Sequence, residues 1–353
     1  MASIVAAALA AACGGAPDRT AGPPATVLPP SAPASTYAPA AAVTPYAAPV
    51  EPALPGTSPG APVAPAPPAA PPPPLPTDPR ERVLALQVAL DRARFSPGEI
   101  DGAPGSNHER ALRAFAQARN VEATAEAVWA ALADGAPTLV EYTVTAEDVA
   151  GPFRRVPVDM MAKAKLEKLG YASVEEALAE RFHASPALLR RLNPGARFVE
   201  GAAIRVPNVE AGAPSGAAAR VVVDRSEGSV TAYGAGGEAL ASYPATMGSR
   251  HDPLPIGEWK INGVSRDPWF NYNPDLFWDA KATHAKAKVP PGPNNPVGVV
   301  WIDLSKEHYG IHGTPEPATV SKTQSHGCIR LTNWDAEELA GLVSPGTPAV
   351  LQD

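Results

Sequence analysis

The sequence has few cysteines, few aromatic residues and few charges: two cysteines, 6% aromatic and 18% charged residues among 353. The formal net charge of −7 leaves no basic excess to neutralise phosphates, so a nucleic-acid partner is not expected. The same charge disfavours peripheral binding to anionic membranes. No stretch approaches the roughly 20 apolar residues of a membrane-spanning helix. Any contact with a membrane must therefore come from the N-terminus.

The N-terminus is a short apolar run of small residues that ends at Cys13. It resembles a bacterial lipoprotein signal, which predicts a signal over residues 1–13 and lipidation of Cys13. The alternative is an alanine-rich end with an incidental cysteine. If Cys13 is acylated, Cys328 is the only remaining thiol and no intrachain disulfide can trap it. The prediction is a periplasmic protein of the bacterial cell envelope, attached to the membrane only through this lipid anchor.

Proline dominates the next segment, residues 14–79, since half of the 44 prolines lie between Pro17 and Pro79. Proline lacks an N–H group and fixes φ, so this segment is predicted to be a disordered linker that samples polyproline II. It could hold the folded part away from a membrane anchor, or it could be a tail without a mechanical role.

Helical patterns begin at residue 80. Asp78 and Pro79 are typical of a helix start, and Ser106 with Glu109 forms a second predicted capping box. A third, shorter helix is expected around Val128–Leu132. This three-helix unit, residues 80–136, resembles a peptidoglycan-binding domain through Leu86-Gln87 and Leu90, Gly98 to Gly102, and Ala111 with Phe115. Both wall binding and a purely packing role remain open for it.

Residues 137–209 are predicted to form a mixed α/β module. Ser173 and Glu176 cap one helix, a second helix ends at Asn193-Pro194-Gly195, and a short strand covers 204–206. The helix, the turn and the closing Val-Pro resemble a LysM glycan-binding module. A helical spacer is the alternative.

From Ala218 to the C-terminus the pattern changes to short β-branched and alternating runs, which predict strands. A helix is expected from Thr332 to Val343, capped by Thr332 and Asp335 and ended by Pro345-Gly346. The sequence therefore predicts a mostly antiparallel β domain with one helix at its edge.

The most informative pattern is Ser325-His326-Gly327-Cys328-Ile329-Arg330-Leu331, with Ile311-His312-Gly313-Thr314 upstream. A thiol is nucleophilic only as its thiolate, and a neighbouring imidazole can take its proton. A buried structural cysteine and a zinc site are the alternatives. The glycine before the thiol, the two histidines and the following arginine favour an acyl-transfer enzyme.

This composite motif resembles the signature of the YkuD-type L,D-transpeptidases, over residues 218–353. The resemblance implies a multidomain α+β protein, in which a β-sandwich-like catalytic domain follows the three-helix unit and the mixed α/β module. It implies no metal and no cofactor. The implied nucleophile is Cys328 and the implied base is His312, oriented by the Gly313 carbonyl. His326 and Gly327 are the implied oxyanion donors. The predicted substrate-binding set is Arg330, Ser325, Tyr309 and Trp301.

By this resemblance the substrate is peptidoglycan, its stem peptides and glycan. Cys328 would attack the third-residue carbonyl of a tetrapeptide stem, release D-alanine and pass the acyl group to an amine. That amine could belong to a second stem or to a protein acceptor. The alternatives are a carboxypeptidase or amidase-type hydrolase on the same fold, and a non-catalytic wall-binding lipoprotein.

Overall fold

The computed structural model describes residues 73–132, 134–212 and 216–353, all within one compact unit. The predicted signal, Cys13 and all but the last residues of the proline-rich segment lie outside the described residues. No helix in the described ranges is both long and apolar enough to cross a bilayer.

Three helices open the described chain: α1 Pro79–Arg92, α2 Ser106–Arg119 and α3 Ala125–Leu132. The predicted cap of α1 is confirmed, because the Asp78 carboxylate accepts from the N–H groups of Arg80 and Glu81. The predicted cap of α2 is wrong. Ser106 is already the first helical residue, so the extended Gly105 occupies the N-cap position and offers no side-chain oxygen.

The next segment contains β1 Leu139–Thr143, α4 Met160–Lys163, α5 Val174–Arg181, α6 Pro186–Leu192 and β2 Ala203–Pro207. Strands β1 and β2 pair antiparallel. The predicted cap of α5 is confirmed, since Ser173 accepts from the Glu176 N–H. The core of this segment also takes in Leu84, Val88 and Ile100, so a shared core crosses the predicted boundary at 136/137. The domain limits themselves stay predictions.

The remaining elements form the β-rich part. They are β3 Arg220–Asp224, β4 Ser229–Tyr233, β5 Ala239–Pro244, β6 Thr246–Met247, β7 Gly257–Arg266, β8 Phe270–Tyr272, β9 Ala287–Val289, β10 Val300–Leu304, β11 Gly310–His312, β12 Ile329–Arg330, α7 Asn333–Leu342 and β13 Pro348–Gln352. Nine strands form one sheet in the order β5-β4-β3-β13-β7-β10-β11-β12-β6, and β8 pairs with β9 separately. Within the large sheet only β3/β13 and β11/β12 are parallel, so the predicted, mostly antiparallel β fold is confirmed.

Strand β7 joins the two halves of the large sheet. Its first part pairs with β13 and its second part with β10. Buried side chains from both halves, such as Val221 and Ile302, belong to one hydrophobic core. Helix α7 contacts β10 and β11, which are interior strands. The prediction of an edge helix is therefore wrong, because the apolar side of α7, with Ala336 and Leu339, completes this core.

The upstream part packs directly onto the β-rich part. The Ser96 N–H donates to the Ser242 carbonyl at 2.9 Å, and the Ser242 N–H donates to the Arg94 carbonyl at 2.8 Å. These bonds cover the edge of β5, which would otherwise expose unpaired backbone groups. Next to them His183 contacts Asp91 at 2.9 Å and stacks on Trp334 of α7 at 5.0 Å.

Candidate active site

The register of β11 against β12 places the predicted catalytic residues on one side of the sheet. These strands are parallel, with Ile311 opposite Ile329 and His312 opposite Arg330. Both isoleucines are fully buried in the core. Because side chains alternate along a strand, His312 and Arg330 face away from this core. Cys328 immediately precedes β12, and its thiol lies beside the start of β11, near the His308 carbonyl and the Gly310 N–H.

His312 is held in one tautomer. Its ring is almost completely buried, and Nδ1–H donates to the Gly313 carbonyl at 2.6 Å. A carbonyl only accepts, so in the neutral ring the free lone pair lies on Nε2. The ring stacks on Trp301, with centroids 5.5 Å apart. Burial, together with the positive charge of Arg330, lowers the pKa of His312 to about 3. His312 is therefore a neutral acceptor at physiological pH.

The Cys328 thiol is also neutral at rest. Burial raises its pKa, whereas the Gly310 N–H and the Arg330 charge act in the opposite direction. The Sγ atom lies 3.7 Å from the His308 carbonyl oxygen. Arg330 thus favours a thiolate and disfavours an imidazolium. At rest, the site therefore holds a neutral thiol and a neutral imidazole.

The turn that presents the thiol is fixed by hydrogen bonds and by a glycine. The Ser325 hydroxyl donates to the Cys328 carbonyl at 2.6 Å, and the Ser325 N–H donates to the Gly248 carbonyl at 3.1 Å. Gly327 has φ +99°, and a Cβ there would lie 2.8 Å from Cε1 of Tyr309. Only glycine combines this backbone conformation with such close packing. The buried Ser325 braces the loop, while its predicted substrate contact stays a prediction.

His326 faces the segment between β7 and β10 rather than open solvent. Its Nε2 lies 2.9 Å from Oδ1 of Asp279, and its ring contacts Phe277 and Trp278 with centroids 4.8 and 5.3 Å away. Its Nδ1 is buried and has no hydrogen-bond partner among the described residues. The sequence did not single out Asp279. Its only signal was its position within an aromatic, polar segment, residues 267–289.

Arg330 is the charged residue of the site. Burial lowers its pKa, while the carboxylates of Glu316 and Asp279, and the Cys328 thiolate when it forms, act to raise it. Its Nη1–H donates to the Gln324 carbonyl at 3.4 Å. The structure thus brings together His312, Cys328 and Arg330, with Trp301 against the histidine. No three His, Cys, Asp or Glu side chains in the described ranges are grouped so that they could hold a metal ion.

Comparison with known proteins places the β-rich part in a family. The model of the YkuD L,D-transpeptidase catalytic domain matches residues 218–351. A Bacillus licheniformis protein named as the L,D-transpeptidase YkuD is 30% identical over 175 residues, covering 49% of this chain and 89% of that relative. The Bacillus subtilis protein of the same name is 35% identical over 108 residues, covering 31% of this chain and about half, 51%, of its own length. The chain belongs to the L,D-transpeptidase family.

Solved structures give a weaker similarity. L,D-transpeptidase 3 from Mycobacterium tuberculosis is 18% identical with a TM-score of 0.32, covering 44% of this chain and 77% of that chain. An L,D-transpeptidase from Mycobacterium smegmatis is 21% identical with a TM-score of 0.31, covering 44% of this chain and 76% of that chain. Family membership therefore rests on the sequence relatives. Because those relatives are named as transpeptidases, a hydrolase or a non-catalytic wall-binding protein is not favoured.

Proposed function

We propose that the chain is a peptidoglycan L,D-transpeptidase with Cys328 as its nucleophile. The observation that carries the proposal is that the His312 Nδ1–H is committed to the Gly313 carbonyl, which leaves Nε2 as an acceptor. His312 lies opposite Arg330 in the β11/β12 pair, and the Arg330 charge acts on both His312 and Cys328. A base held in one tautomer beside a thiol is the arrangement that nucleophilic catalysis requires.

In the first half-reaction Nε2 of His312 takes the Sγ proton as sulfur attacks the third-residue carbonyl of a tetrapeptide stem. A C–S bond forms, and the carbonyl oxygen gains negative charge. The backbone N–H groups at the Gly327–Cys328 turn are the proposed oxyanion donors, with the His326 ring beside them. When the peptide C–N bond breaks, the His312 imidazolium returns its proton to the departing D-alanine amine, leaving a thioester.

In the second half-reaction an amine attacks the thioester carbonyl and His312 accepts its proton. The amide forms as the C–S bond breaks, and the proton returns to sulfur. A second stem peptide as acceptor gives a cross-link, and a protein amine gives a wall-anchored protein. Arg330, beside the thiol, is the proposed partner for a substrate carboxylate, because a guanidinium binds carboxylates in a bidentate manner. Ser325, Tyr309 and Trp301 are proposed to shape the same substrate site.

The location and the upstream binding roles are parts of the same proposal. We infer an envelope protein with a lipid anchor at Cys13, because peptidoglycan lies outside the cytoplasmic membrane. Residues 80–209 are proposed to bind wall polymer. A Cys328→Ala variant should still be pulled down by purified peptidoglycan, whereas the β-rich part alone should not. If the Cys328→Ala chain and the β-rich part alone are pulled down equally, residues 80–209 do not contribute to wall binding.

The activity is tested by incubating the purified chain with disaccharide-tetrapeptide and analysing the products by mass spectrometry. Dimeric muropeptide with loss of D-alanine is the expected result. Tripeptide alone would assign the acyl group to water and favour hydrolysis. A folded chain with no product and no adduct would contradict the proposed enzyme.

A further inference from the structure

Asn333, the first residue of α7, lies in a narrow space between two glycines. It is 2% exposed, and its Oδ1 accepts from the Val299 N–H at 3.3 Å. A Cβ on Gly298 or Gly313 would overlap this oxygen. Both glycines are therefore packed directly against the Asn333 side chain, and its position limits theirs.

Gly313 is the residue whose carbonyl orients the His312 ring. Its own N–H donates to the Val300 carbonyl of β10 at 3.2 Å, which anchors the residue on its N-terminal side. The Asn333 side chain packs against the same residue. The direction of the Gly313 carbonyl, and with it the orientation of His312 Nε2, depends on where Asn333 is held.

Asn333 is held from the upstream part of the chain. Its Nδ2 donates to Oε1 of Glu180 at 2.9 Å, across 153 residues of sequence, and to the Pro293 carbonyl at 3.2 Å. Glu180 lies on α5 and also accepts from the Tyr171 hydroxyl at 3.1 Å. Helix α5 therefore supplies the acceptor that holds the Asn333 side chain beside the active site.

Burial raises the pKa of Glu180 to about 7. The hydrogen bonds from Asn333 and Tyr171 oppose this shift, and the neighbouring charges of Glu176 and Glu337 add to it. The carboxyl keeps an acceptor oxygen in both protonation states, so its bond to Asn333 does not require the charge.

A second set of contacts holds the same upstream segment to the loop before β10. The Leu169 N–H donates to the Pro291 carbonyl at 2.9 Å, and the Asn294 N–H donates to the Leu169 carbonyl at 3.0 Å. The Asn294 side chain donates to Oε1 of Glu176 at 2.7 Å. These bonds fix α5 relative to the catalytic part without passing through Asn333. Loss of the Glu180 bond alone should therefore leave the docking in place.

We propose that Glu180 is a positioning residue for the catalytic base, acting through Asn333 and Gly313 on His312. This inference rests on the proposed role of His312 as the base. It makes α5 part of the catalytic framework, in addition to any binding role of the upstream residues.

The test compares Glu180→Ala, Glu180→Gln and the matched control Glu175→Ala. Glu175 lies on the same helix and pairs with Arg190 of α6. Glu180→Ala should lower kcat about tenfold with little change in KM, the effect of losing one buried hydrogen bond in the transition state. Glu180→Gln should restore most of kcat, because its amide oxygen still accepts from Asn333. Glu175→Ala should match the unaltered chain.

A second readout does not require turnover. The rate of Cys328 alkylation by iodoacetamide reports how readily the proposed base takes the thiol proton. Glu180→Ala should slow this alkylation at neutral pH, while Glu180→Gln should not. If the unaltered chain forms no transpeptidation product, the proposed function fails. The alkylation rates of the Glu180 variants would still decide whether Glu180 positions His312. If Glu180→Ala does not fold, Asn333→Asp removes the same donor and should slow alkylation equally. Equal rates in all folded variants, or a Gln variant as slow as Ala, would overturn the inference.

Discussion

Replacing Gly327 by alanine should inactivate the enzyme for a reason that the structure makes explicit. The residue has φ +99°, and an added Cβ would lie 2.8 Å from Cε1 of Tyr309 and 3.1 Å from its hydroxyl oxygen. The backbone conformation alone costs an L-residue about 1–3 kcal/mol. The overlap must then be relieved by moving either the Tyr309 ring or the turn that carries Cys328.

The chain offers a matched control in Gly346. Its φ is +94°, and nothing lies within 4 Å of an added Cβ. Gly346→Ala should therefore carry the backbone strain without the contact. Both variants should lower the melting temperature by a few degrees, at about 2–4 °C per kcal/mol for a domain of this size.

Only Gly327→Ala should lose activity, by about a hundredfold, the cost of misplacing a reacting group by about 1 Å. The assay is the rate of acyl-enzyme formation on Cys328, followed by intact-protein mass spectrometry beside the thermal melt. Equal acylation rates for the two alanine variants would contradict this prediction, because the overlap with Tyr309 would then have no effect on acylation. An unimpaired Gly327→Ala variant would also refute it.

Three further predictions concern charge and pH. Asp279→Asn removes the carboxylate that contacts His326 and should lower the acylation rate about threefold to tenfold. Asp275→Asn on the same segment should leave the rate unchanged. Equal effects of both variants would contradict this prediction. Burial and then Asp91 raise the pKa of Asp335 to about 8, so the folded state holds a proton that the unfolded state releases near pH 4, and thermal stability should fall as pH rises from about 4 to about 8. Asp335→Asn should make that slope shallower in thermal melts, and an unchanged slope would exclude this group. Because burial raises the pKa of Cys328, its alkylation by iodoacetamide should keep rising above pH 9, and a plateau near pH 7 would show a preformed ion pair.

The local features of the fold were predictable because their signals are adjacent in sequence. The caps formed by Asp78, Ser173 and Thr332 each depend on residues within three positions, and all three are present. The thiol turn and the His-Gly segment carry their chemistry in contiguous residues. The buried positions of β13 alternate, but its place in the sheet could not be predicted, because it depends on a parallel partner far away in sequence, β3.

The supporting shell of the site could not be predicted, because its contacts span long sequence distances. Asp279 reaches His326 across 47 residues, and Glu180 reaches Asn333 across 153. Periodicity and spacing report on neighbours along the chain, and neither describes which surfaces meet after folding. Likewise, His183 carried no sequence signal of its buried contact with Asp91.

The most direct test of the account is the mass of the intact protein after brief exposure to disaccharide-tetrapeptide. We predict an adduct on Cys328 with the mass of the stem without its terminal D-alanine. It should be absent in Cys328→Ala and form much more slowly in His312→Ala. An adduct that retains D-alanine, an adduct on another residue, or equal acylation of the His312→Ala variant would contradict the assignment of this thiol and this base.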